Sequence, residues 1–185
     1  MTRARIQFLL LAALFALPIT ASILAYKFMQ PQPTANHGEL LLPPASVPTH
    51  VFATPEGKPF SFADVAGKWL LVVSDSGECA KACQDKLVTL RQVRLALGRN
   101  AQRVERIFVV DDIRKPDPAP MQEVAGTIVA LAPAGVALPP GLANDRAHIY
   151  LVDPRGNVMM RWPANTDGKR MLSDLQRLLK ASQIG

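Results

Sequence analysis

Residues 69–97 read WLLVVSDSGECAKACQDKLVTLRQVRLAL. Trp69–Ser76 is a continuous apolar run with a polar end, short enough to be a buried central strand. Gly77, Glu78 and Cys79 follow, and a helical pattern then runs to about Leu97, with Leu87, Leu90, Val93 and Leu97 three or four residues apart. A buried strand therefore passes through a tight junction into a helix, and the chain's two cysteines, Cys79 and Cys83, lie at that junction.

Their position predicts chemistry. With Ser76 or Asp75 as helix cap, Cys79 falls in the first turn, where free N–H groups and the helix dipole favour a thiolate. Lys81 and Lys86 add positive charge and Glu78 opposes them. At 100° per residue, Cys79, Cys83, Leu87, Leu90, Val93 and Leu97 share one stripe about 120° wide. Two thiolates one turn apart can chelate a soft metal ion. A disulfide needs Cβ atoms about 3.8 Å apart, closer than a regular helix gives at this spacing, so oxidation is expected to loosen the first turn. A purely structural disulfide is the plainer alternative, although closing so short a loop removes little chain entropy.

Outward from this stretch, RVERIFVVDD (103–112) is the next strand. Residues 114–144 are rich in Pro, Ala and Gly, with a short helix near Met121–Ala125 and a short strand at Thr127–Leu131. HIYLVD and NVMMRW, joined by Pro154-Arg155-Gly156, form a hairpin, and the last helix starts near Thr166 or Asp167. Upstream, HVFATPEGKPFSF (50–62) reads as two short strands around Glu56-Gly57-Lys58. A right-handed crossover makes the strands at 69–75 and 103–112 parallel neighbours. This order predicts an α/β fold, a thioredoxin-like sandwich, over residues 50–185.

Ile6–Tyr26 contains no charged residue and spans roughly 31 Å as a helix, matching a bilayer's hydrocarbon core. Residues 1–27 are therefore read as an N-terminal transmembrane anchor. Arg3 and Arg5 place the short N-terminus in the cytoplasm and the domain across the membrane, in the periplasm if the source is bacterial. A cleavable signal peptide, with small residues at Thr20, Ala21 and Ser22, is the competing reading. Residues 28–49, with prolines throughout, read as a tether.

Composition excludes several classes. Of 185 residues, 49% are hydrophobic and 19% charged, a globular balance. Two cysteines are too few for a disulfide scaffold. The net charge of +6 suggests nucleic acid until Arg3, Arg5 and Lys27 are set aside, which leaves 18 basic residues against 15 acidic, well mixed. No nucleic-acid partner is expected. Arg91, Arg94, Arg99, Arg103 and Arg106 form a basic run that helix and strand spacing should disperse over a solvated face. CxxC, HExxH, GxSxG and glycine-rich phosphate motifs are absent.

From about His50 to Lys180 the chain resembles the Sco/SenC family of copper-handling thioredoxin-fold proteins, which assist cytochrome c oxidase assembly. The residues that carry this are the anchor, Gly67-Lys68-Trp69-Leu70-Leu71-Val72-Val73, Cys79-Ala-Lys-Ala-Cys83, and Ile149-Tyr150-Leu151-Val152-Asp153-Pro154-Arg155-Gly156. The resemblance implies that Cys79 and Cys83 bind copper together with a distant histidine. It also implies a bacterial inner-membrane location, and a cytochrome c oxidase subunit or another assembly factor as partner. Two departures stand out. Ala80 and Gln84 replace the prolines usual after each cysteine, and Asp145 occupies the histidine's position five residues before Tyr150. His148 is the replacement candidate, ahead of Asp145, His50, His37, Met121, Met159 and Met160. Three functions stay open: a metallochaperone using Cys79, Cys83 and His148; a thiol–disulfide oxidoreductase in which Cys79 attacks and Cys83 resolves; and a non-catalytic assembly factor.

Overall fold

The computed structural model describes residues 3–28, 36–133, 142, 145–182 and 184. It divides at residue 35 into an N-terminal unit and a compact unit from Asn36 onward. The first unit is helix α1, Arg3–Phe28, with Pro18 inside it. Its Arg3–Lys27 stretch is long and apolar enough to cross a membrane.

In the second unit, eight strands among the described residues form one sheet in the order β1-β8-β7-β4-β5-β6-β2-β3. The strands are β1 (Glu39–Ser46), β2 (Phe52–Ala53), β3 (Pro59–Phe60), β4 (Trp69–Asp75), β5 (Val104–Val110), β6 (Ile128–Leu131), β7 (His148–Val152) and β8 (Asn157–Pro163). Strand β4 pairs parallel with β5, Val73 opposite Phe108, and antiparallel with β7, Val73 opposite Ile149. The helices are α2 (Lys81–Ala96), α3 (Pro118–Glu123) and α4 (Gly168–Ala181).

Strand alternation divides the core. Trp69, Leu71, Val73, Phe108, Ile149 and Leu151 pack with α2 and α4 residues such as Leu87, Leu90 and Leu175. Leu70, Val72, Ile107, Tyr150 and Val152 face the other way, against Phe52, Phe60 and Phe62. This is the α/β, thioredoxin-like architecture expected from the element order.

Two expectations are corrected. The segment expected as tether up to residue 49 contains β1, which pairs antiparallel with β8, Glu39 opposite Arg161 and Ser46 opposite Asn157. Asp174 of α4 secures its start by accepting the backbone N–H groups of His37 and Gly38. The signal was masked because Pro43 and Pro44 interrupt the strand, and the register shifts between Leu40 and Ala45.

The second correction concerns the helix start. Helix α2 begins at Lys81 with Ala80 as an N-cap lacking a side-chain hydrogen bond, so Cys79 lies outside the first turn. Both expected caps are engaged elsewhere. Asp75 pairs with Lys86, and the Ser76 hydroxyl donates to Asp112. Part of the insert's expected content, residues 134–141, lies outside the described residues; the short helix found is α3, slightly earlier than expected.

Candidate functional site

Cys79 and Cys83 form a disulfide with a Cα–Cα separation of 5.0 Å. Cys79 lies just before the helix in the left-handed region, φ 41°, a backbone conformation uncommon for residues other than glycine. Both cysteines are buried, at 0% and 1% exposure, and pack in the α2 face of the core with Leu87 and Ile149.

The loop that carries Cys79 is held from several sides. Cys79 N–H donates to the Ser76 carbonyl at 3.0 Å, and the Gln84 amide donates to the Cys79 carbonyl at 2.9 Å. Asp112, just after β5, accepts from Ser76 Oγ at 2.6 Å and from Gly77 N–H at 3.0 Å. Asp117 N–H donates to the Gly77 carbonyl at 3.3 Å. Only glycine fits at residue 77, because a Cβ there would collide with the Arg114 carbonyl. Burial pushes the Asp112 carboxyl up, but hydrogen bonds from Ser76, Gly77 and Arg114 outweigh it and leave the group below its ordinary value.

Beneath this loop lies a charged network. Lys86, three residues after Cys83 on α2, is 1% exposed. Its ammonium pairs with Asp75 at 2.7 Å and donates to the carbonyls of Ser74 at 3.2 Å and Arg146 at 2.9 Å. Arg146 in turn pairs with Asp111 at 2.5 Å and lies 3.8 Å from both Asp75 and Asp112. Arg114 pairs with Glu78 across the loop. Sequence reading passed over this network. Its signal is that two parallel strands, β4 and β5, end in carboxylates at matched register beside the cysteines, with Asp75 opposite Val110.

His148 lies at the same end of the sheet as the cysteines, on the strand next to β4, but on the other face. It begins β7, and period-2 alternation puts it with Tyr150 rather than with Ile149, the β7 residue that packs among the cysteines. Its Nδ1 is 2.8 Å from Asp145 Oδ2. The same carboxylate accepts from the Tyr150 hydroxyl. Asp145 and His148 meet because the chain enters β7 through a turn in which Ala147 N–H donates to Asp145 at 3.0 Å. Burial and the Asp145 carboxylate raise the Tyr150 hydroxyl to about 12. Asp145 and Tyr150 also line a cavity of about 280 Å³ beneath Leu41, Leu42 and Pro43.

The structure therefore brings Cys79 and Cys83 together and leaves His148 with Asp145. Among the described residues, no group of three or more His, Cys, Asp or Glu is arranged to hold a metal ion. Met160 is buried in the core; His50 is exposed and Met159 half-buried.

Residues 69–182, which hold the strand, the disulfide loop and the hairpin just described, match the family model for a transmembrane-like, thioredoxin-like, C-terminal domain. The chain belongs to that family. No curated protein matches the chain. Among solved structures, this transmembrane-like thioredoxin domain is similar to apo Sco1 from Thermus thermophilus, with 18% identity over 80% of this chain and 99% of the other, TM-score 0.62. It is similar to yeast Sco1 with copper bound, with 17% identity over 75% and 95%, TM-score 0.61. It is also similar to the thioredoxin domain of a thiol-disulfide oxidoreductase from Bacteroides vulgatus, with 18% identity over 72% and 95%, TM-score 0.54. At these identities the likeness is one of fold, and that fold hosts both copper handling and thiol exchange.

Proposed function

We propose that this protein is a membrane-tethered, Sco-like copper chaperone for cytochrome c oxidase assembly, with copper as its cargo. The observation that carries this reading is the juxtaposition of Cys79 and Cys83 at the mouth of the central strand, 5.0 Å apart at Cα. An external dithiol supplies two electrons and two protons to open the disulfide, and the two thiolates then match the softness of Cu(I). The reduced pair passes the ion by ligand exchange to an oxidase subunit or another assembly factor. His148 is the proposed third donor. The Asp145 carboxylate on Nδ1 is the kind of outer partner that orients a ligating imidazole, leaving Nε2 for the metal. Reaching the sulfurs requires the 145–148 segment to move. An anchor in the bacterial inner membrane, with the domain in the periplasm, raises the effective concentration of the chaperone near membrane-bound targets.

The test is a Cu(I) titration of the reduced full chain in neutral detergent against a competing chelator. Tight one-to-one binding that disappears in Cys79→Ser/Cys83→Ser is expected, with weaker binding in His148→Ala. Binding no stronger than in the double-serine variant overturns the copper reading.

A second reading, a periplasmic thiol–disulfide oxidoreductase, draws support from the closed disulfide and from the placement of His148 with Tyr150, since thiol exchange needs no third ligand. A reduction potential in the range of exchange-active disulfides, without copper binding, selects it. Neither activity leaves the non-catalytic assembly factor.

A further inference from the structure

His148 is the first residue beyond the β4–β7 ladder, which pairs Leu70 with Val152 at one end and Val73 with Ile149 at the other. On the opposite edge β8 still accompanies the chain: His148 is opposite Pro163, and Ala164 N–H donates to the Ala147 carbonyl at 2.7 Å. Among the described residues, the turn that carries His148 is therefore held by strand pairing along one edge only.

Side chains bridge the other edge. The buried Lys86 ammonium donates to the Ser74 carbonyl on β4 at 3.2 Å and to the Arg146 carbonyl at 2.9 Å, spanning the place where the ladder stops. Asp75, at 2.7 Å, takes its third N–H. The Arg146 side chain returns the link. Its Nε and Nη2 reach the two carboxylate oxygens of Asp111 at 3.0 and 2.5 Å, a bidentate pair. Asp111 is itself buried and also accepts from the Ser74 hydroxyl at 2.9 Å.

These ties open differently from a ladder. Breaking them leaves Val73–Ile149 and the pairs beyond it in place, so the 145–148 turn swings without unfolding β7. The swing costs the Lys86 and Arg146 contacts and the Ala164 hydrogen bond. Both cysteines are close to this hinge along the chain and in the core. Ile149, next to His148, packs in the same cluster as Cys79 and Cys83, and Lys86 follows Cys83 by three residues on α2.

We propose that Lys86 and Arg146 are positioning residues for His148. Together they form a latch that holds the 145–148 turn, and with it the imidazole, on the sheet face away from the cysteines. Release of the latch is the step that admits His148 to a copper ion held by Cys79 and Cys83. The release step rests on the chaperone reading above; the latch itself does not.

Amide hydrogen exchange of the full chain in neutral detergent, without copper, reads the latch. Residues 146–148 are expected to exchange about 10-fold faster in Arg146→Ala and in Asp75→Asn/Lys86→Met, with Ile149–Leu151 unchanged. Where the buried Asp111 keeps Arg146→Ala from folding, Asp111→Asn/Arg146→Gln removes the ion pair and keeps neutral hydrogen bonds. Wild-type exchange at 146–148 in either variant, or equal acceleration at Ile149–Leu151, overturns the latch. Cu(I) competition on the reduced chain then reads release. Arg146→Ala is expected to bind about 3-fold tighter than wild type, and Arg146→Ala/His148→Ala to lose that gain, because a larger fraction of the protein is already open. Unchanged affinity, or a gain that persists without His148, overturns the release step. Wild-type protein that binds no Cu(I) overturns the chaperone reading and the release step with it, while the exchange result still decides the latch.

Discussion

The carboxylate of Asp174 accepts the backbone N–H of Gly38 at 2.9 Å, although 136 residues separate them. The same fully buried group accepts from His37 N–H at 3.0 Å and from the Trp162 indole at 2.9 Å, and Arg177 lies 3.4 Å away. One side chain of the last helix thus fixes both the beginning of the domain and a core tryptophan.

Asp174→Ala strands three buried or half-buried N–H groups. A loss of about 3–5 kcal/mol is expected, with the smaller effect in Asp174→Asn. Urea denaturation measures the loss, and faster proteolysis within residues 36–46 locates it. An unchanged cleavage pattern there would contradict the latch.

Gly77→Ala forces a Cβ into the Arg114 carbonyl and parts the cysteine loop from the segment after β5. A destabilisation of about 1–3 kcal/mol is expected. The disulfide should also be reduced faster by dithiothreitol, because the loop that buries it is displaced. Thiol quantification over time reads this directly.

Asp112 gives a pH dependence of definite sign. Its folded pKa is depressed, so its contribution is complete above the ordinary carboxylate value of about 3.9 and is lost as pH falls through the folded value. Denaturation between pH 6 and 3 should show stability falling below about pH 4, less steeply in Asp112→Asn.

Tyr150 acts at the opposite end of the scale. Its pKa is raised to about 12, so the protonated hydroxyl favours the fold below the ordinary value of about 10, and that advantage is lost as pH rises towards 12. Phenolate absorbance should show Tyr150 titrating near 12, and Asp145→Asn should lower the midpoint.

Opening the disulfide should cost little stability. Closing a loop between residues four apart is worth about 2 kcal/mol by chain entropy, before any relief of the left-handed Cys79 backbone. Chemical denaturation of the reduced protein, or of Cys79→Ser/Cys83→Ser, should show a loss of that size or less. A much larger loss would mark the bond as a structural staple.

The amino-acid sequence by itself determined the elements and their layering. Apolar runs such as WLLVV and IFVV are readable because strand burial has a local period, and Leu87, Leu90 and Val93 mark the helix face for the same reason. The apolar α1 and the placement of both cysteines at a strand-to-helix junction were equally local signals. The tertiary structure alone decided where side-chain partners lie. Asp75 and Ser76, plausible caps by spacing, are drawn to Lys86 on α2 and to Asp112, and the parallel β4–β5 register is what brings Asp112 near. His148 meets Asp145 through the turn that leads into β7. Strand β1 joins the sheet beside β8, held at its start by a carboxylate at the far end of the chain. Periodicity is set by neighbouring residues, whereas charge pairing and hydrogen bonding across the fold depend on distances that exist only once the chain has closed.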